Sequence, residues 1–153
     1  MLKYPTILQM PAPQLRGYPP ESIVSEKLQA LVFLGSANSR MKDFYDLWVM
    51  AVQFEVDGGV LQTAIIYTLQ RRKTLLPKET PVGLSNIFAS ANQAQWQAFI
   101  QRMHLKNIPQ SFSDVSHVIK GFLVLPLRAS AFGDMFEGVW GPGSPWKFLI
   151  ENQ

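Results

Sequence analysis

The sequence has no cysteine, little charge and no internal repeat. With no Cys in 153 residues, disulfides, thiolate metal centres and cysteine nucleophiles are excluded, and a reducing compartment suits the composition. Histidine is scarce too: His104 and His117 fall on different predicted helices, without metal-ligand spacing. Charged residues make up 16%, too few for a disordered polyelectrolyte, while 47% apolar content lets one domain of this length bury a core. Strongly apolar runs such as residues 122–127 are far shorter than the roughly 20 residues of a membrane span. Residues 1–5 contain no apolar signal-peptide region before the first proline, so a cytoplasmic protein without a membrane segment is expected. Fourteen basic against eleven acidic side chains leave a mild +3. Its main concentration, Arg71-Arg72-Lys73 with Lys78 nearby, reads either as cations complementing a helix C-terminus or as a weak RNA-binding patch.

Proline, glycine and helical periodicity supply the organisation. Pro5, Pro11, Pro13, Pro19 and Pro20 exclude a helix over residues 1–20, leaving an extended segment with one short strand at 6–10. Pro19-Pro20-Glu21 opens a helix over 21–34, with Val24, Leu28 and Leu31 in line and Gly35 as its stop. Ser39 is a candidate cap for a second helix, whose apolar face is Phe44, Leu47, Trp48, Ala51 and Phe54. Asp57-Gly58-Gly59 caps a third, 59–72, with a stripe of Leu61, Ala64, Ile65, Thr68 and Leu69. A fourth spans 91–104, with Ala94, Ala98 and Ile100 among its apolar positions and Trp96 and Phe99 as anchors. A fifth, capped by Ser111 or Ser113, is predicted to stop at Pro126. The last 20 residues read as irregular, with Trp140 and Trp146 laid back on an apolar surface. The expected fold is mainly α: an extended segment (1–20), a bundle of about five helices (21–130) and a Trp/Gly/Pro-rich tail (131–153).

Several charges fall on the wrong faces. With Val24 at zero on a helical wheel, Lys27 lies at about −60° and Leu31 at about −20°, so an ammonium sits inside the apolar stripe. It must find a carboxylate, face a polar ligand, or snorkel to water. With Phe44 at zero, Arg40 lies near about −40° and Asp43 near about −100°, flanking the apolar face; Asp46 is one turn on, and Lys42 precedes it by about four residues. The plain reading is a set of surface ion pairs. The functional reading is a phosphate-handling surface, in which cations neutralise phosphate oxygens and a carboxylate orients or deprotonates a hydroxyl.

At Tyr4-Pro5-Thr6-Ile7-Leu8, Pro11-Ala12-Pro13, Tyr18-Pro19, Glu26-Lys27-Leu28-Gln29-Ala30-Leu31-Val32, Leu34-Gly35 and Asn38-Ser39-Arg40-Met41-Lys42-Asp43-Phe44-Tyr45-Asp46-Leu47-Trp48, the sequence resembles the AbiEii/AbiGii family. These are bacterial nucleotidyltransferase toxins of abortive-infection and toxin-antitoxin systems. The likeness is dense to about residue 55 and thinner through Gln93-Ala94-Gln95-Trp96 to the tail. It implies a two-part enzyme: an amino-terminal sheet carrying Gly-Ser and metal carboxylates, and a helical carboxy-terminal half that completes the nucleotide site. By position, Lys27 would contact the triphosphate, Arg40 and Lys42 would support phosphates, and Asp43 would be the catalytic or orienting carboxylate, with Glu26 and Asp46 supporting. The sequence departs from the family in that nothing before Tyr4 supplies Gly-Ser and the metal carboxylates. Gly35-Ser36 does not replace them, because Asp43 and Asp46 are three apart on a predicted helix.

The expectation is therefore a helical half that holds no metal itself. Mg2+ and a nucleoside triphosphate are implied by the resemblance alone, with RNA or protein as acceptor and a metal-bearing half or cognate antitoxin as partner. The rival expectation is a non-catalytic helical module that binds a protein or a nucleotide. The resemblance implies that the proline-rich segment is a sheet edge, so self-association or pairing with another polypeptide through residues 4–16 is expected, since an unpaired apolar strand templates a second chain. Light scattering on a chain starting at Gly17 checks this: the oligomeric state should fall while the helices persist by circular dichroism.

Overall fold

The computed structural model describes residues 19–143 and 145–148. The predicted strand at 6–10 and the association segment 4–16 lie outside them. Six α-helices follow in order: α1 Pro20–Leu34, α2 Met41–Gln53, α3 Gly58–Arg71, α4 Asn86–Ala91, α5 Gln93–Met103 and α6 Phe112–Phe132. The mainly α architecture is as expected. Antiparallel strands β1 Val56–Asp57, β2 Gly138–Trp140 and β3 Trp146–Phe148 form one small sheet in the order β1-β2-β3, with Val56 opposite Trp140 and Trp140 opposite Trp146.

Helix α2 is the centre. Met41 and every residue from Asp43 to Ala51 are buried, so it has no solvent face beyond its ends. The aromatic neighbours that close over it explain why. The Phe44 ring lies 5.7 Å from Phe88 of α4 and edge-on to Phe112 of α6 at 5.2 Å, and Tyr45 lies 5.9 Å from Phe99 of α5. Trp96, fully buried, stacks on Phe112 at 5.2 Å and donates its indole N–H to the Pro109 carbonyl at 3.0 Å. The anchors Trp96 and Phe99 are placed as the sequence predicts, whereas Ala94 and Ala98 are exposed.

On the other side, α1 packs along α3. The stripe Val24, Leu28 and Leu31 is buried, and between the helices Ser25 Oγ meets Thr68 Oγ1 at 3.0 Å while Gln29 Nε2 donates to Thr74 Oγ1 at 2.8 Å. These bonds fix the rotation of α1 and therefore the direction in which Glu26 and Lys27 project. Asp57 caps α3 as predicted, its side chain accepting the Val60 N–H at 3.0 Å. Gly58 is required here: a Cβ would lie 2.7 Å from the Gly138 carbonyl of β2.

Four local expectations are corrected. The predicted fourth helix is α5, but the stretch before it holds a further short helix, α4, which Ser85 caps through the Phe88 N–H. Neither Ser39 nor any other side chain caps α2; Arg40 holds the cap position, and the Asn38 side chain accepts the Arg40 N–H at 2.8 Å. Helix α6, capped by Ser111, does not stop at Pro126 but continues to Phe132. Proline deprives the Phe122 carbonyl of its helical donor, and the Trp146 indole N–H replaces it at 3.0 Å. The tail, finally, is not irregular. It forms β2 and β3, lays Trp140 and Trp146 on Phe122, and ties off α2 by directing the Trp140 indole at 2.7 Å and the Gly143 N–H at 2.8 Å onto the Ala51 carbonyl. By length and composition α6 could cross a membrane, unlike the short apolar runs noted above; its buried residues line the core between α2, α3, α4 and α5.

The Trp146–Phe122 bond gives a direct expectation. Trp146→Phe should destabilise the protein by about 1–3 kcal/mol through the orphaned carbonyl. In a Pro126→Ala background, where the helix regains its own donor, the same substitution should cost less. Urea unfolding of the four proteins measures both.

Candidate functional site

The misplaced charges converge where the start of α2 crosses α1. Lys27 Nζ lies 3.2 Å from Asp43 Oδ1 and 2.9 Å from Asp46 Oδ2. Lys42 reaches the same Asp46 oxygen at 2.9 Å, the pair anticipated from their spacing, and Arg40 Nε lies 2.9 Å from Asp43 Oδ2. The charges thus alternate in one chain: Lys42, Asp46, Lys27, Asp43, Arg40.

These are not surface ion pairs. Asp43 is 5% exposed and Asp46 2%, because α2 is buried all round, and carboxylates in that position are tolerable only when compensated. Lys27 compensates both from a side chain that remains 26% exposed. Burial alone would lower its pKa, but the Asp46 and Asp43 carboxylates outweigh this by charge and hydrogen bonding and hold the ammonium above its usual 10.5. Asp43 Oδ2 is buried yet lacks a hydrogen-bond donor: the Arg40 Nε–H is close enough for charge attraction but is not aligned for a bond.

The cluster forms one wall of an open cleft of about 500 Å³. Lys27, Arg40 and Asp43 line it together with Glu26, Gln29, Ala30, Phe33 and Leu34 of α1 and Arg72 at the end of α3. Glu26 turns out to face α3, pairing with Arg71 Nη2 at 2.6 Å and Arg72 Nη2 at 2.9 Å. The basic run does end a helix, with Arg71 in the last turn of α3 and Arg72 at its cap, and Arg72 also lines the cleft. Lys42 and Asp46 support the cluster without lining the cleft. The sequence pointed to Lys27, Arg40, Lys42, Asp43 and Asp46 as one site, but gave Arg72 only as part of the basic run and did not single out Phe33. Nothing local could have found Arg72, which meets Glu26 only through the packing of α1 on α3. Phe33 was detectable as an aromatic residue outside the stripe of α1.

Among the described residues no group of three His, Cys, Asp or Glu side chains could hold a metal ion, and the buried carboxylate oxygens already face Lys27, Lys42 and Arg40. Donors, by contrast, are in surplus. Lys27 has three N–H groups and two carboxylate partners, and the exposed Arg40 presents only Nε to Asp43, which leaves its outer nitrogens for a ligand.

Replacing Lys27 with Met should therefore cost about 3 kcal/mol at neutral pH, since it strips two buried carboxylates of their shared counter-ion. The sign of the pH dependence follows from the raised pKa. The contribution of Lys27 is complete below pH 10.5 and is lost as pH rises through the higher folded-state value. Urea midpoints from neutral pH into that range should fall more steeply for the wild type than for Lys27→Met.

The model of a family described as nucleotidyl transferase AbiEii toxin, Type IV TA system, matches residues 1–118. No curated protein and no solved structure matches the chain. The matched region contains α1, α2 and the whole charge cluster. With more than half its length covered, the chain belongs to the AbiEii nucleotidyl transferase toxin family.

Proposed function

We propose that this domain is the helical part of a nucleotidyltransferase and that its cleft takes the triphosphate of a nucleoside triphosphate. The observation that carries this reading is the buried Asp43–Lys27–Asp46 cluster opening onto the 500 Å³ cleft, with donors left over on Lys27 and Arg40. A triphosphate is polyanionic, and among the residues that line the cleft the cations Lys27, Arg40 and Arg72 outnumber the carboxylates Glu26 and Asp43. The two aspartates fix the ammonium of Lys27, so little reorganisation is needed when phosphate arrives. Arg40, exposed at the start of α2, can turn its outer nitrogens to phosphate, and that movement frees Asp43 Oδ2 to orient or deprotonate the acceptor hydroxyl. In transfer the acceptor oxygen bonds to the α-phosphorus, pyrophosphate leaves, and the proton passes to the carboxylate.

The donor set does not fit Mg2+. The family reaction implies metal carboxylates, and we assign them to polypeptide outside the described residues: a metal-bearing half that completes the enzyme. An RNA or protein hydroxyl is the acceptor, and a cognate antitoxin is the regulatory partner that a type IV toxin family suggests.

Calorimetric titration with Mg-free ATP tests the site. Binding to the wild type should weaken about tenfold in Lys27→Met, equivalent to about 1.4 kcal/mol. Arg40→Gln, at an exposed position, should weaken it in the same direction, with the fold checked by circular dichroism. Absence of any triphosphate affinity would overturn the site. Incubation of the chain alone with α-labelled triphosphates, tRNA and Mg2+ should give no transfer, and EDTA-sensitive labelling of RNA or protein would refute the need for a second half.

A further inference from the structure

Phe33 is an anomaly in α1. It is 71% exposed, in the last helical turn before Gly35 ends the helix with φ 54°, and it lines the same cleft as Lys27. A large aromatic side chain held in water on a rigid helix contributes nothing to the core. It stands six residues beyond Lys27, a rise of about 9 Å along the axis, comparable to the reach of a nucleoside triphosphate from its outer phosphates to its base. Between them on the lining face is Ala30, whose small side chain leaves width for a sugar. Lys27, Ala30 and Phe33 wind over about 120° of the α1 surface, so phosphate donors, a gap and an exposed ring follow one another around the side of the helix that lines the cleft.

We infer that Phe33 is the nucleobase platform of this cleft: the base stacks on the Phe33 ring, the ribose passes over Ala30, and the phosphates meet Lys27 and Arg40. This rests on the proposed triphosphate site and names its ligand as a whole nucleotide. An aromatic face stacks with every base, so the platform accepts all four nucleotides and favours the larger purine rings.

The test separates the base from the phosphates by titrating ATP and inorganic tripolyphosphate in parallel. Phe33→Ala should weaken ATP about tenfold while leaving tripolyphosphate unchanged, and Phe33→Trp should restore ATP affinity. Because Phe33 is exposed, both variants should keep the wild-type circular dichroism. Equal ATP affinity in Phe33→Ala and wild type, with tripolyphosphate still dependent on Lys27, would overturn the platform and leave the phosphate site standing. A wild-type chain that takes neither ligand would overturn both. A Phe33→Ala protein that loses both ligands equally would show a structural effect and likewise refute the platform.

Discussion

Asp43 and Asp46 are buried because the helix that carries them is enclosed on every side, and Lys27 is what makes that burial tolerable. Phe88, Phe99 and Phe112 close over α2 from three other helices, and the tail ties off its far end at the Ala51 carbonyl. Two carboxylates then lie in the interior at the opening turns of α2. Uncompensated, each would cost several kcal/mol. The Lys27 ammonium bridges them from α1, so the packing of α1 against α2 is itself part of the electrostatic solution. A core arranged for stability alone would place apolar groups there. The charges instead stand at a wall that opens onto a cleft, an arrangement that suits the proposed triphosphate site.

The second half of the cleft depends on α3. Ser25–Thr68 and Gln29–Thr74 set the rotation of α1, and the Glu26 pairs with Arg71 and Arg72 bring the basic end of α3 to the cleft. Exposed ion pairs of this kind add little stability. Their consequence is placement: the Arg72 guanidinium lines the same cleft as Lys27, held there by Glu26.

Much of this was legible in the sequence, for local reasons. Proline at the start of α1, Gly35 at its end, and Asp57 before α3 act within one turn, and the wheel position of Lys27 exposed the conflict between charge and stripe before any partner was known. The depth of the α2 aspartates was not legible, and surface ion pairs stayed open as a reading, because an amphipathic pattern records composition along one helix and not how many neighbours surround it. Pro126 misled for a related reason. Its missing donor is supplied by Trp146, about 20 residues later and across a turn, and no local rule anticipates that compensation. Strands as short as β1, β2 and β3 leave no alternation to detect, and Arg72 reaches Glu26 only through tertiary packing.

The central claim is that Lys27 and the α2 carboxylates act as one unit, and a double-mutant cycle over Lys27→Met and Asp46→Asn tests it most directly by urea unfolding. Coupled charges should make the double variant less destabilised than the sum of the singles, by on the order of 1–3 kcal/mol. Additive losses, within about 0.5 kcal/mol, would show that the two residues are independent and would contradict the account.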